Sequence, residues 1–180
     1  MFTKMDNILT YFLKETSREF HVRRLAKLEK KSPTTISKIL NIYAKEGILK
    51  QSSRLNHIFY KANMENQKLR DLKIYYNLKL IRNSGLTVFL EKELNHPEAI
   101  VLFGSFRKGD DIEKSDIDIV VISLVKKEIN LTEFEKKLRH SLQLFILLPK
   151  DIESLKKSNP ELLNNIANGI VLYGFLELFR

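Results

Sequence analysis

The chain contains no cysteine, which excludes a disulfide framework, a thiolate metal site and a cysteine nucleophile. It also lacks a long hydrophobic run. Its longest apolar stretches, such as Ala99–Phe103 and Leu144–Leu148, fall far short of the ~20 residues that cross a bilayer. The opening segment MFTKMDNILTYFLK places charges inside any secretory core, so no export signal is expected and the protein is expected in the cytoplasm. Internal repeats and low-complexity tracts are missing as well. His21, His57, His96 and His140 are scattered without metal-ligand spacing and read as ordinary surface or loop residues. No serine near them makes a triad pattern.

The 180 residues allow one large domain or two small ones. A hydrophobic content of 43% with 29% charged residues fits an ordinary globular protein and not a disordered tail. The formal net charge of +9 is unevenly placed. Residues 1–65 hold thirteen Lys/Arg against six Asp/Glu, whereas residues 99–180 hold twelve of each. Such asymmetry suggests a basic module fused to a neutral one. A basic face attracts nucleic acid through counterion release; a solvated lysine-rich surface is the plainer alternative.

Along the basic part, Asp6 can cap a first helix with Ile8, Leu9, Phe12 and Leu13 on its apolar face. A second helix fits Val22–Glu29, with Val22, Leu25, Ala26 and Leu28 at helical spacing. Ser32-Pro33 is a cap followed by proline at the first helical position. It predicts a third helix over Thr34–Glu46 that buries Ile36, Ile39, Leu40 and Tyr43 and stops at Gly47. Ile48–Lys50 and Ile58–Lys61 then read as two strands around a polar tip, residues 51–57.

Three short helices followed by a hairpin is a layout that resembles the winged helix-turn-helix superfamily over Phe20–Lys61. In that superfamily the third helix enters the major groove with its N-terminal residues on base edges. The resemblance implies double-stranded DNA as partner. Ser32, Thr34, Thr35, Ser37 and Lys38 are then the base-reading candidates and Arg54 the wing contact, while Arg23, Arg24, Lys30 and Lys31 hold phosphates. Protein interaction or dimerisation is the alternative role of such modules. From Glu65 to about Asn83 a connecting helix is expected with Leu69, Leu72, Tyr76 and Leu80 on one stripe. That stripe suits either a homodimer surface or intramolecular packing. Ser84-Gly85 breaks it, and Leu86–Leu94 forms another amphipathic helix before the loop Asn95-His96-Pro97.

The second half carries the chemistry. Ala99–Phe103 and Ile117–Ile122 are apolar, β-branched runs that read as buried strands. Gly104-Ser105 falls where the first strand should turn into a helix, and free N–H groups at a helix start favour anions. Asp116 and Asp118 are two apart on a strand, so both carboxylates point to the same side. Two carboxylates pointing one way make a hard oxygen site suited to Mg²⁺. A phosphate-cradling turn facing such a pair is the apparatus of phosphoryl or nucleotidyl transfer.

The run Gly104-Ser105, ten residues, then Asp116-Ile117-Asp118 resembles the signature of the nucleotidyltransferase superfamily of DNA polymerase beta in its minimal form. Lys108-Gly109, Ser115 and the tail Leu162–Gly174 add to a resemblance that covers about residues 86–174. It implies an NTP as substrate, Mg²⁺ on Asp116 and Asp118, and Gly104, Ser105, Arg107, Lys108 and Ser115 around the nucleotide. It admits a protein acceptor, as in antitoxins that nucleotidylate a partner toxin, or a small molecule such as an antibiotic. It also implies a third aspartate on the next long strand, read here as Leu142–Leu147, where the matching position is Gln143. Glutamine cannot act as a base, and Asp151 beyond the strand looks too distant to replace one.

The fold class expected is thus α+β. A winged helix occupies residues 1–64, connecting helices residues 65–95, and a small mixed-sheet nucleotidyltransferase domain residues 96–180. Two functions stand: Mg²⁺-dependent transfer of a nucleoside monophosphate to an acceptor hydroxyl, or a DNA-binding regulator that holds nucleotide without efficient turnover. The intact signature favours the first and Gln143 the second.

Overall fold

The computed structural model describes residues 7–54 and 57–178; Asp6, expected to cap the first helix, lies outside them. The chain divides into two compact units, Met1–Lys73 and Ile74–Arg180. Among the described residues no helix is long and apolar enough to cross a membrane.

In the first unit, α1 (Asn7–Lys14), α2 (Val22–Glu29) and α3 (Pro33–Lys45) accompany a three-stranded antiparallel sheet of β1 (Phe20–His21), β2 (Leu49–Arg54) and β3 (His57–Ala62) in the order β1-β3-β2. The helices form because their apolar residues recur on one face. Ile8, Leu9, Phe12 and Leu13 of α1 are buried, as are Leu25 of α2, Ile36 and Leu40 of α3 and Tyr60 of β3. Burying each such side chain is worth roughly 1.5–3 kcal/mol.

Several details depart from the sequence expectation. Leu28, assigned to the apolar face of α2, is 50% exposed. Ile39 and Tyr43 are only half-buried. Helix α3 begins one residue earlier, at Pro33, because the Ser32 hydroxyl accepts the Thr35 amide at 3.1 Å. The hairpin strands run longer than the apolar pattern indicates, since Leu49↔Ala62 through Arg54↔His57 pair by backbone alone. The short strand β1 escapes pattern reading altogether. Two residues carry no periodicity.

The second unit is a four-stranded mixed sheet in the order β6-β5-β4-β7. Its strands are β4 (Ala99–Phe103), β5 (Ile117–Ile122), β6 (Leu142–Leu147) and β7 (Ile170–Gly174). Strand β4 pairs antiparallel with β5 and β7, while β5 pairs parallel with β6. Helix α5 (Leu86–Glu93) covers one face, where Leu86 and Leu90 pack with Ile100, Leu102, Ile119 and Val121. Helices α8 (Pro149–Ser158) and α9 (Pro160–Ala167) cover the other, where Ile152 and Ile166 pack with Val101, Phe103, Val120 and Ile122. Alternating side chains of each central strand thus enter two separate cores. The remaining helices are α6 (Gly104–Lys108) and α7 (Thr132–Leu138).

The division between units falls within α4 (Gln67–Ser84), and here the expected stripe is corrected. The fully buried line is Leu69, Lys73, Asn77, Ile81 and Ser84, whereas Leu72, Tyr76 and Leu80 are half-buried. In the first unit the Lys73 ammonium donates to the Leu13 carbonyl at 2.8 Å, close to the C-terminus of α1, where a cation suits the helix dipole. In the second unit Asn77 reaches the loop beneath the candidate site, as described next. Most buried polar groups are bonded, and the partners of Lys73 and Asn77 lie far away in sequence.

Candidate functional site

At the end of β4 the chain turns at Gly104, whose φ is +70°. A Cβ built there would lie 2.0 Å from Asp118 Oδ2. Glycine is therefore required twice, for the left-handed backbone and for room beside the carboxylate. The antiparallel register sets Phe103 opposite Asp118, so the turn and the second aspartate are neighbours. Asp116 immediately precedes β5 and Asp118 lies on it. The side chain of Asp118 shares a face with Val120 and Ile122, towards the α8–α9 core.

Burial raises the Asp118 pKa above the ordinary carboxylate value, and the nearby negative charge of Asp116 raises it further. Like charges held together in a partly desolvated place favour a cation between them. Hard carboxylate oxygens of this kind fit Mg²⁺. Among the described residues no third His, Cys, Asp or Glu joins the pair in a metal-holding group.

Strand β6 supplies the third neighbour. The parallel register places Gln143 beside Asp118, and the Gln143 Nε2 donates to Asp116 Oδ2 at 2.7 Å. Asp151, the next acid along the chain, accepts the Leu148 amide at 2.9 Å and so serves the start of α8.

Two side chains outside the signature hold the loop that joins its halves. The Asn77 Nδ2 donates to the Phe106 carbonyl at 3.0 Å and to Asp111 Oδ1 at 2.7 Å, with Asp111 itself buried. His140 Nδ1 donates to the Ser115 carbonyl at 2.9 Å, and its ring meets that of Phe106 edge-on at 4.9 Å. Sequence reading assigned His140 to the ordinary surface and missed its place here. Position alone, three residues before Gln143, was the available signal. Ser115 uses its hydroxyl to accept the Ile112 amide at 3.0 Å. Ser105 and Arg107 are half-buried on α6, and Lys108 is exposed in its last turn.

In the first unit, Arg23, Thr34, Ser37 and Lys38 come together on one open groove of about 750 Å³, with His57 and Phe59 of β3 on its wall. Arg24 is exposed beside them in sequence. The Thr35 hydroxyl shares a 2.8 Å hydrogen bond with Ser32 and takes part in the cap of α3. Arg54 is bonded to Glu19, with its guanidinium 5.2 Å from the Phe59 ring centre. His21, also read as an ordinary residue, caps α2 by accepting the Arg24 amide at Nδ1.

A glycine turn set against a carboxylate pair at the end of a strand can seat a phosphate beside a divalent cation. A family model described as Polymerase beta, Nucleotidyltransferase matches residues 85–175, about half of the chain. The chain belongs to the polymerase beta nucleotidyltransferase family, and its second unit carries a domain of nucleotidyl transfer. Among curated proteins none matches the chain.

Proposed function

We propose that the protein transfers a nucleoside monophosphate from an NTP to an acceptor hydroxyl on a protein or small molecule, and that a DNA-binding winged helix is fused to this activity. The observation that carries the transferase reading is the approach of the Gly104 turn to Asp118, beside Asp116. In the reaction the acceptor oxygen bonds to the α-phosphorus, the bond to the bridging oxygen breaks, and pyrophosphate leaves with that electron pair. Asp116 and Asp118 would hold a Mg²⁺ ion, which would supply charge neutralisation for the triphosphate. Gly104 and Ser105 accommodate the phosphates, and Arg107, Lys108 and Ser115 flank them. Gln143 orients Asp116 but takes no proton, so the hydroxyl proton passes to water or to a base that the acceptor brings. Release of pyrophosphate from an Mg²⁺–NTP mixture, lost in Asp116→Asn, tests the transfer.

Gln143 also favours a second reading, in which the domain holds nucleotide and turns over slowly while the winged helix regulates. In both readings residues 1–64 form the DNA-binding module, residues 65–95 the connection and residues 96–180 the nucleotidyltransferase domain. The support for DNA is the basic balance of residues 1–65 and the groove that gathers Arg23, Thr34, Ser37 and Lys38. Replacing Arg23 and Arg24 by alanine should weaken duplex binding equally on all sequences. It should also lower the salt slope by about two, roughly one per lost phosphate contact. Changing Lys38 should instead shift preference between sequences by about 1–3 kcal/mol. Fluorescence anisotropy of the full chain at several salt concentrations reads both effects. No binding at low salt assigns the module to protein contacts.

A further inference from the structure

The segment that opens β6 grips Asp116 from three sides. His140 bonds to the carbonyl before it, Ser115, at 2.9 Å. The Ser141 carbonyl accepts the amide after it, Ile117, also at 2.9 Å. The Gln143 amide holds the Asp116 side chain itself. Asp116 Oδ2 therefore faces the positive end of an amide dipole, which satisfies one lone pair of that oxygen and opposes a cation on the same side.

Among the described residues the pair has no third His, Cys, Asp or Glu partner. The acids nearest β6 in sequence are engaged elsewhere: Glu135 accepts the Leu142 amide at 3.0 Å, and Asp151 accepts the Leu148 amide. Sites that hold two divalent ions keep them about 3.5–4 Å apart, which demands several anionic oxygens from the protein. This site offers two carboxylates, one of them partly spent on an amide.

We infer that Gln143 limits the site to a single divalent cation per bound nucleotide and acts as a positioning residue that orients Asp116 towards that ion. The inference rests on the nucleotide-binding reading proposed above. Orienting partners of metal ligands typically contribute 10–100-fold to affinity when removed. Gln143→Leu, which keeps the bulk but not the bond, should therefore weaken the one ion by about 10–100-fold. Gln143→Asp replaces the amide by a third carboxylate and should admit a second ion.

The experiment counts Mn²⁺ by electron paramagnetic resonance on the full chain, with saturating α,β-methylene ATP or GTP as the nucleotide. The expected result is one Mn²⁺ per wild-type chain and per Gln143→Leu chain, the latter bound more weakly, with two in Gln143→Asp. Two ions in the wild type would overturn the inference and leave nucleotide binding intact. One ion in a folded Gln143→Asp chain would overturn it as well, because Gln143 would not be what limits the count. Should Gln143→Asp not fold, as judged by circular dichroism, unchanged Mn²⁺ affinity in Gln143→Leu overturns it and the expected weakening supports it. No nucleotide-dependent Mn²⁺ in any form defeats the nucleotide-binding reading itself.

Discussion

Gly104→Ala should weaken nucleotide binding, with Mg²⁺–NTP affinity falling by about 100-fold or more, roughly 2.8 kcal/mol. Two costs combine. A left-handed φ of +70° costs an L-residue roughly 1–2 kcal/mol. The new methyl group, only 2.0 Å from Asp118 Oδ2 and 2.9 Å from its Cγ, forces the carboxylate out of place. Gly85 supplies the control, because its φ is +84° but no atom lies within 4 Å of a Cβ there. Gly85→Ala should thus lower the thermal midpoint by about 2–4 °C per kcal/mol of strain and leave nucleotide affinity alone. Calorimetric titration of both variants separates strain from displacement. Equal affinities in Gly104→Ala and wild type would remove the turn from the nucleotide site.

Gln143→Asp should raise the rate of pyrophosphate release by about 100-fold, the lower end of what a general base contributes. The register places residue 143 beside Asp118, and its side chain already reaches Asp116, so an aspartate at this position enters the same space with a proton acceptor. Gln143→Glu tests the tolerance in length. A rate unchanged in Gln143→Asp, with two metal ions bound, would locate the slow step elsewhere, in acceptor binding or product release.

The strands at the site were legible because their sequence is uniform. Ala99–Phe103 and Ile117–Ile122 are apolar apart from Asp118, and both occupy the residues expected of them. A run buried on both faces marks a strand without fixing its register, which only the paired structure shows. Gln143 was also legible, since β6 is a continuous strand at the expected place. The α4 helix was not. Its buried line includes Lys73 and Asn77, which any hydropathy pattern assigns to solvent. Their burial depends on the Leu13 carbonyl for one and on Phe106 and Asp111 for the other, and no local rule links residues 60 or 34 apart in the chain. His140 escaped for the same reason: its partner Ser115 lies 25 residues back. Arg54 shows a different limit, because charge counting cannot reveal that Glu19 already pairs with it. Hydrophobic periodicity reports which face is buried, whereas polar partners across the fold are set by tertiary geometry alone.

In the proposed function Asp116 and Asp118 hold the metal and nucleotide in the second unit. Asp116→Asn with Asp118→Asn keeps shape while removing both anionic ligands. Isothermal titration of the full chain with each Mg²⁺–NTP, wild type against the double variant, reads the claim directly. The expected result is saturable binding of at least one nucleotide to the wild type and no detectable heat with the double variant, which remains folded by circular dichroism. Equal affinity in the two proteins would contradict it and move the nucleotide site away from the carboxylate pair.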